Sequence, residues 1–273
     1  MSRDLASLEA FYGRELDLIL ADPGFAEAHE ALLRNLESGE LRSARREPDG
    51  SWNAVTWVKR GILAGFRATE TVSFEEWPCG AFDRSAFPPR RFAAEDRIRL
   101  VPGGSAVRRG ACLKPGVVVM PPAYVNVGAF VGSGSMIDSH ALVGSCAQVG
   151  ENTHLSAGVQ VGGVLEPAGA RPVVVEDECL VGALCGLFEG VLVRRRAVLA
   201  PGVILTASTA IYDLVEARMI RGEVPEAAVV VPGSRPAGGE FAEKQGISLY
   251  APCIVKYRDA KTDAATALEA ALR

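Results

Sequence analysis

The chain has 273 residues, of which 48% are hydrophobic, and a formal net charge of −4 with a pI near 5.6. This length allows one large or two modest domains, and the acidic balance excludes general attraction to nucleic acid or anionic membranes. The charged N-terminus lacks the apolar segment of a signal peptide, and no apolar run is long enough to span a membrane. We therefore expect a cytoplasmic protein without nucleic-acid or membrane partners.

The apolar residues of the first 70 positions recur with helical spacing and predict three helices. A turn at 22–24 separates the first two, and a hairpin is predicted around 48–50, before the third helix. His29 lies on a helix face, where a structural or exposed position is expected. Residues 74–99 are rich in proline and aromatic residues and read as a linker. We assign 1–98 to a helical N-terminal domain with this linker.

From Val101 onwards, every sixth residue is aliphatic, giving eleven such residues up to Val161, and the spacing resumes from Val175 to Leu205. The residue four positions later is small or β-branched in almost every step. A period of six matches neither a helix nor a simple strand but is typical of a hexapeptide parallel β-helix. The predicted fold is therefore mainly β, a left-handed β-helix whose aliphatic residues point inward. Seventeen hexads make a β-sandwich a poor alternative.

Several features of the ladder depart from the six-residue spacing. The step from Val161 to Val175 is fourteen residues, which predicts an external loop near 165–172. A second excursion is predicted at 210–222, before two last hexads near Val224 and Val230. The β-helix would then occupy 99–234, and 235–273 would form a C-terminal cap with a strand at 248–256 and a helix at 263–272. The residue after the aliphatic position is often glycine, which suits a tight corner.

Six cysteines occur without CxxC spacing, which favours buried, reduced thiols over a disulfide framework. Cys179 and Cys185 occupy small inward positions of the ladder. The full set is Cys79, Cys112, Cys146, Cys179, Cys185 and Cys253.

One corner of the ladder carries polar residues. Asp138 stands where glycine is common, Ser156 lies one eighteen-residue coil further, and His140 is two residues past Asp138. An aspartate beside a histidine and a serine is a candidate acid/base cluster, although a solvated edge would look the same. His140 and His154 are the histidines of the coil, and fourteen residues apart they do not form a metal-ligand set, so no metal is expected. Proteins of this architecture commonly form trimers with grooves between neighbouring prisms.

The run from Tyr124 to Pro167, YVNVGAFVGSGSMIDSHALVGSCAQVGENTHLSAGVQVGGVLEP, resembles the tetrahydrodipicolinate N-succinyltransferases. RLVPGGSAVRRGACLKPGVVVMPP upstream and SLYAPCIVKYRDAKT downstream resemble the same family. The resemblance implies a homotrimeric acyltransferase of lysine and diaminopimelate synthesis. It would use succinyl-CoA as cosubstrate, without a permanently bound cofactor, and would acylate the amine of 2-amino-6-oxopimelate, the ring-opened form of tetrahydrodipicolinate.

The resemblance also implies roles for individual residues. Asp138 matches an aspartate at the acceptor site, where a carboxylate can take the proton that the amine loses. Arg99 matches an arginine that contacts the dicarboxylate. For CoA we expect backbone donors at Gly162 and Gly163 and phosphate partners at Arg235 and Lys256; these basic residues could equally be solvated. The loops at 165–172 and 232–239 would wall the CoA groove.

The chain departs from the resembled pattern at several positions. Asp138-Ser139-His140 replaces Asp-Thr-Trp, and Leu184 and Gly186 replace an arginine and a glutamate. Glu189 keeps its acidic match, and we expect His140 to replace the missing base. A neutral Leu184 leaves open an acetyl-CoA-dependent transferase acting on a similar amino dicarboxylate. A non-catalytic β-helix is the third alternative.

Overall fold

The structure, a computed structural model, describes residues 4–75, 80–259 and 264. The predicted helices are present, the first of them in two segments, and Asp4 caps it by accepting a 2.8 Å hydrogen bond from Ser7 N. The predicted hairpin around 48–50 is also present, and a second hairpin lies within the expected linker. The elements are α1 (Leu5–Tyr12), α2 (Leu16–Leu20), α3 (Phe25–Ser38), β1 (Ala44–Arg46), β2 (Trp52–Ala54), α4 (Thr56–Ala68), β3 (Thr71–Phe74), β4 (Ala81–Arg84) and a 3₁₀ turn (Ala94–Asp96).

Short strands then follow one another around three faces of a prism. They are β5 (Arg99–Leu100), β6 (Ala106–Val107), β7 (Cys112–Leu113), β8 (Val118–Val119), β9 (Tyr124–Val125), β10 (Phe130–Val131), β11 (Met136–Ile137), β12 (Leu142–Val143), β13 (Gln148–Val149), β14 (His154–Leu155), β15 (Gln160–Val161), β16 (Val174–Val175), β17 (Leu180–Val181), β18 (Gly186–Leu187), β19 (Leu192–Val193), β20 (Val198–Leu199) and β21 (Ile204–Leu205).

The C-terminal part contains longer strands and one short helix. They are β22 (Ala210–Asp213), β23 (Arg218–Arg221), β24 (Glu223–Val224), β25 (Ala228–Val231), β26 (Ser234–Pro236), α5 (Glu240–Gln245), β27 (Ser248–Tyr250) and β28 (Cys253–Tyr257). The predicted helix at 263–272 lies outside the described residues, apart from Ala264.

Strands three apart in the chain pair in parallel and build the three faces. The first face contains β5, β8, β11, β14, β17, β20 and β25. The second contains β6, β9, β12, β15, β18 and β21, and the third contains β7, β10, β13, β16, β19 and β24. The hexapeptide β-helix predicted from the six-residue spacing is confirmed.

The second residue of each two-residue strand points into the prism. These aliphatic side chains are at most 4% exposed from Val107 to Leu205, and Val224 and Val230 extend the core as predicted. The prediction for Val101 is wrong, because Leu100 rather than Val101 stands opposite Val119. The irregular turn through Gly103 and Gly104 shifts this first strand by one residue, so the regular ladder begins at Val107.

The glycines that follow the aliphatic positions are needed because successive coils approach closely. A Cβ on Gly144 would lie 2.2 Å from Gly163 N, and one on Gly182 would lie 2.6 Å from Pro201 N. The left-handed turn residue comes two positions later, and it is not always glycine. His140 (φ 61°) and Leu184 (φ 60°) occupy such turns.

Both predicted excursions leave the coil between the second and third faces. The loop after β15 lies against the helical region, where Leu165 packs and Ala170 O accepts a 2.5 Å hydrogen bond from the buried Lys59 Nζ. The second excursion is the β22–β23 hairpin, which pairs through β28 with β25 and extends the first face. Buried outer side chains show that the helical region covers the third face: Cys112, Gln148, Val174 and Leu192.

Candidate active site

We call the corner between the first and second faces the Asp138 edge. Asp138 follows β11, and Ser156 follows β14 in the next coil, as predicted. The Asp138 Oδ1 accepts a 2.7 Å hydrogen bond from Ser139 N, and the side chain is 30% exposed. The turn therefore fixes the carboxylate while its Oδ2 remains available at the surface.

His154 is the functional neighbour that sequence reasoning missed. Its Nε2 lies 3.7 Å from Asp138 Oδ2 and has no hydrogen-bond partner among the described residues. His154 stands opposite Met136 in the adjacent strand, so the eighteen-residue coil brings it beside Asp138. Counting one coil of eighteen residues onward from Met136, which precedes Asp138 by two, leads to His154.

His140 occupies the same turn as Asp138 but projects differently. It is exposed, its backbone N donates to Pro122 O at 2.6 Å, and its carbonyl accepts from Gln160 Nε2 at 3.1 Å. Within the described residues, no hydrogen bond or ion pair joins its ring to Asp138. The ring lines a shallow depression of about 400 Å³ on the second face.

Arg99 lies in the outer row of the first face. It pairs with Val118, which in turn pairs with Met136, so one strand, β8, separates Arg99 from the strand that ends at Asp138. The side chain is exposed. It can therefore bind an anion that reaches along this face towards the Asp138 edge.

We call the corner between the second and third faces the Gly162 edge. The Gly162 N–H donates to Leu187 O at 2.8 Å within the ladder, so it is not free to bind a ligand. The exposed Gly163 has no such backbone bond in the described part of the chain, and its N–H is the available donor. Glu189 is exposed at the same edge, in a left-handed turn (φ 56°).

The ring of Phe188 covers two glycines at the Gly162 edge. A Cβ on Gly162 would lie 2.7 Å from Phe188 Cδ1, and one on Gly186 would lie 2.6 Å from Phe188 Cε2. No larger residue fits at position 186 while the ring is there. Gly186, which stands where a glutamate was expected, therefore makes room for the Phe188 ring.

Leu184 adds an apolar side chain to the Asp138 edge. It is 70% exposed, and a Cβ on Gly158 would lie 2.7 Å from its Cδ2. Its backbone N donates to Ala157 O in the preceding coil. The expected cation is therefore absent at this position, and a neutral surface stands in its place.

The two basic residues predicted for CoA lie on different C-terminal elements. Arg235 is exposed on β26 and donates from Nη1 to Pro236 O at 3.2 Å. Lys256 is half-buried on β28, opposite Val229 of the first face. No hydrogen bond within the described residues connects either side chain to Gly163.

The buried cysteines carry no nucleophilic chemistry. Burial raises the pKa of Cys179 to about 12 and that of Cys185 to about 11, so both stay thiols at neutral pH. Cys79 lies outside the described residues. Among the described residues, histidine, cysteine and acidic side chains form no group of three that could hold a metal ion. The helices described are all too short or too polar to cross a membrane.

Comparison with known proteins agrees with this architecture in both the helical region and the coil. Residues 9–68 match the model of the tetrahydrodipicolinate N-succinyltransferase N-terminal region, and 172–207 match the hexapeptide repeat of succinyl-transferase. The 2,3,4,5-tetrahydropyridine-2,6-dicarboxylate N-succinyltransferase of Sinorhizobium fredii is 42% identical over 100% of this chain and 99% of its own length. The protein of that name from Rhodopseudomonas palustris is also 42% identical, over 90% of this chain and 89% of its own.

The chain belongs to the tetrahydrodipicolinate N-succinyltransferase family. The resemblance inferred from Tyr124–Pro167 is confirmed, and it extends over the helical region as well. Tetrahydrodipicolinate N-succinyltransferases are acyltransferases.

Proposed function

We propose that the chain transfers succinyl from succinyl-CoA to the amine of 2-amino-6-oxopimelate, the open form of tetrahydrodipicolinate, in lysine and diaminopimelate synthesis. The observation that carries this proposal is a 42% identity, along the whole chain, to a relative named 2,3,4,5-tetrahydropyridine-2,6-dicarboxylate N-succinyltransferase. The geometry of Asp138 supports it, because a fixed and accessible carboxylate is what an attacking amine needs.

The reaction requires a proton acceptor and a donor to the thioester oxygen. The amine nitrogen attacks the thioester carbonyl carbon, the new C–N bond forms, the C–S bond breaks, and CoA leaves as the thiol after protonation. Asp138 Oδ2 takes the proton from the amine, and His154 stabilises the carboxylate from 3.7 Å. The Gly163 N–H is proposed to stabilise the oxyanion.

The remaining candidates take binding or secondary roles in this proposal. Arg99 binds a carboxylate of the acceptor, and Ser156 borders it one coil beyond Asp138. His140 and Glu189 are the further acid/base candidates. Arg235 and Lys256 are the proposed partners of the CoA phosphates, beside backbone at Gly162 and Gly163.

We also propose a homotrimer in the cytoplasm. Asp138 and Glu189 stand on different edges of one prism, separated by the second face. A single chain therefore does not bring the two sets of candidates together, whereas a groove between two copies would. Buried free thiols such as Cys146 support a reducing compartment.

The second candidate is an acetyl-CoA-dependent N-acetyltransferase acting on a similar amino dicarboxylate. Leu184 favours it, because an exposed apolar side chain at the Asp138 edge offers no partner to the distal carboxylate of succinyl. An acetyl group carries no such carboxylate.

Thiol release measured with 2-aminopimelate as acceptor separates the candidates. We expect release from succinyl-CoA in wild type at a far higher kcat/KM than from acetyl-CoA. Release from acetyl-CoA alone would identify acetyl-CoA as the acyl donor and favour the second candidate. Release from neither, by a trimer that is folded, would leave a non-catalytic β-helix.

A further inference from the structure

A cleft of about 490 Å³ lies between the β1–β2 hairpin and the outer side of the third face. It is away from the Asp138 edge and takes no part in the proposed transfer. Its walls combine aromatic rings with charges of both signs. Trp52, Phe130, Arg42, Glu176, Asp177 and Glu226 are among its lining residues.

Arg42 is a half-buried cation without an acidic hydrogen-bond partner in the described part of the chain. Its guanidinium lies 3.8 Å from the centroid of the Phe130 ring and 5.3 Å from that of Trp52. Nε donates to the Oε1 of the buried Gln148 at 2.8 Å, but Nη1 and Nη2 have no hydrogen-bond partner among the described residues. Burial lowers the pKa of Arg42 to about 10. Two parallel N–H donors on a rigidly stacked guanidinium match the geometry of a carboxylate.

The acidic side of the cleft also keeps Asp177 available. Glu176 is already used, since it accepts from Trp52 Nε1 at 2.8 Å and from Arg195 N at 3.0 Å. Asp177 is exposed and uses Oδ1 to accept a 2.7 Å hydrogen bond from Glu151 N. Its Oδ2 has no hydrogen-bond partner in the described part of the chain, so the cleft presents an open cation and an open carboxylate together.

We propose that this cleft binds a free α-amino acid. The carboxylate of the ligand accepts from Arg42 Nη1 and Nη2, and its ammonium group donates to Asp177 Oδ2. Asp177 would repel a simple anion, and Arg42 would repel a simple ammonium ion. A zwitterion therefore fits this pair of charges better than either. Because Arg42 belongs to the N-terminal region and Asp177 to the coil, the ligand ties these two parts together.

Isothermal titration of the full chain with each standard L-α-amino acid tests the proposal. We expect one or more to bind with one site per chain, and acetate, methylamine and inorganic phosphate to bind at least about tenfold more weakly. Arg42→Gln and Asp177→Asn should each weaken binding by about tenfold to a hundredfold, as expected for a lost charge-assisted hydrogen bond. Asp177→Asn keeps the test valid if Arg42→Gln fails to fold.

The matched control is Arg45→Gln in β1, three residues from Arg42. It removes a guanidinium whose side chain is 74% exposed. It should bind the amino acid like wild type. The proposal is overturned if no amino acid binds, if phosphate or acetate binds as tightly, or if Arg45→Gln weakens binding as much as Arg42→Gln. Loss of binding in Asp138→Asn but not in Arg42→Gln would place the ligand at the Asp138 edge and overturn it as well.

Discussion

The Asp138 edge and the Gly162 edge are built from the same hexapeptide turn but present different chemistry. The Asp138 edge carries side chains with titratable groups, and the contact between Asp138 and His154 spans two coils. The Gly162 edge also carries the exposed Glu189, but its surface is mainly backbone and a covering ring, with Phe188 over two glycines. The difference shows that a repeat can hold its core constant while each corner is specialised separately. One edge is suited to moving a proton, and the other to lying close to a ligand.

The largest effect is expected from a charge placed in the core of the prism, on the second face that lies between the two edges. Val143→Asp buries an unpaired carboxylate at a fully buried position of the second face and should prevent folding, at a cost of several kcal/mol. Circular dichroism and gel filtration measure the outcome. Leu142→Asp is the matched control, since its side chain points outward and should be tolerated. A folded, soluble Val143→Asp protein would contradict the inward register.

Asp138→Asn should separate activity from folding at the Asp138 edge. Loss of the proton acceptor is expected to lower kcat by about 10²- to 10⁴-fold while the melting temperature stays near that of wild type. Glu216→Gln, an exposed carboxylate in the β22–β23 turn, should leave kcat unchanged. Unaltered turnover in Asp138→Asn would remove Asp138 from the mechanism.

A pH effect is expected in the helical region, away from both edges. Burial lowers the pKa of His29 from 6.5 to about 4, so the folded chain binds fewer protons than the unfolded chain between these values. The stability is fully present above pH 6.5 and falls by about 3 kcal/mol as the pH drops towards 4. Urea unfolding across this pH range measures it. His29→Phe should flatten this decline, and an unchanged slope would exclude His29 as its source.

The fit of Phe188 over the Gly162 edge can be tested by a double-mutant cycle. Gly162→Ala places a methyl group against the ring and should destabilise the chain by about 1–3 kcal/mol. Adding Phe188→Ala should recover part of that loss, because the ring no longer blocks the methyl group. Unfolding free energies of the four proteins give the coupling. Strict additivity would show that the ring and the glycine do not interact.

The smallest expected effect distinguishes the two histidines at the Asp138 edge. His154→Gln should lower kcat by about tenfold, because His154 faces the Asp138 carboxylate. His140→Gln should change kcat less than threefold by rough expectation, since the ring does not bond to Asp138. The opposite order would restore His140 as the base predicted from the sequence.

The sequence predicted the coil well because each hexad repeats the same local requirement: an aliphatic residue inside and a small residue near the corner. It placed Asp138 and Ser156 on one edge, since a constant coil length makes spatial neighbours countable. The same counting pairs His154 with Asp138, a contact that a search for metal-ligand spacing between histidines does not reveal. Val101 was misplaced because one extra residue in an irregular turn is invisible to a fixed period.

Features outside the repeat were harder to predict. The bond from Lys59 to Ala170 O holds the loop at 165–172 against the helical region, a contact that its sequence does not predict, and its role as a wall of the CoA groove stays a prediction. The β3–β4 hairpin was read as a linker, because its strands are short and largely exposed and give no burial pattern. Neither contact follows from local spacing, since each depends on how separate elements pack.

The covered third face limits how copies of the chain can associate. With the helical region on that face, the described coil offers only its first and second faces to a neighbour. Joining a first face to a second face is a heterologous contact, and repeating it through a rotation generates a closed ring. Pairing one face with the same face of a second copy would instead give a dimer. The position of the helical region thus decides which faces of the coil are left for such contacts.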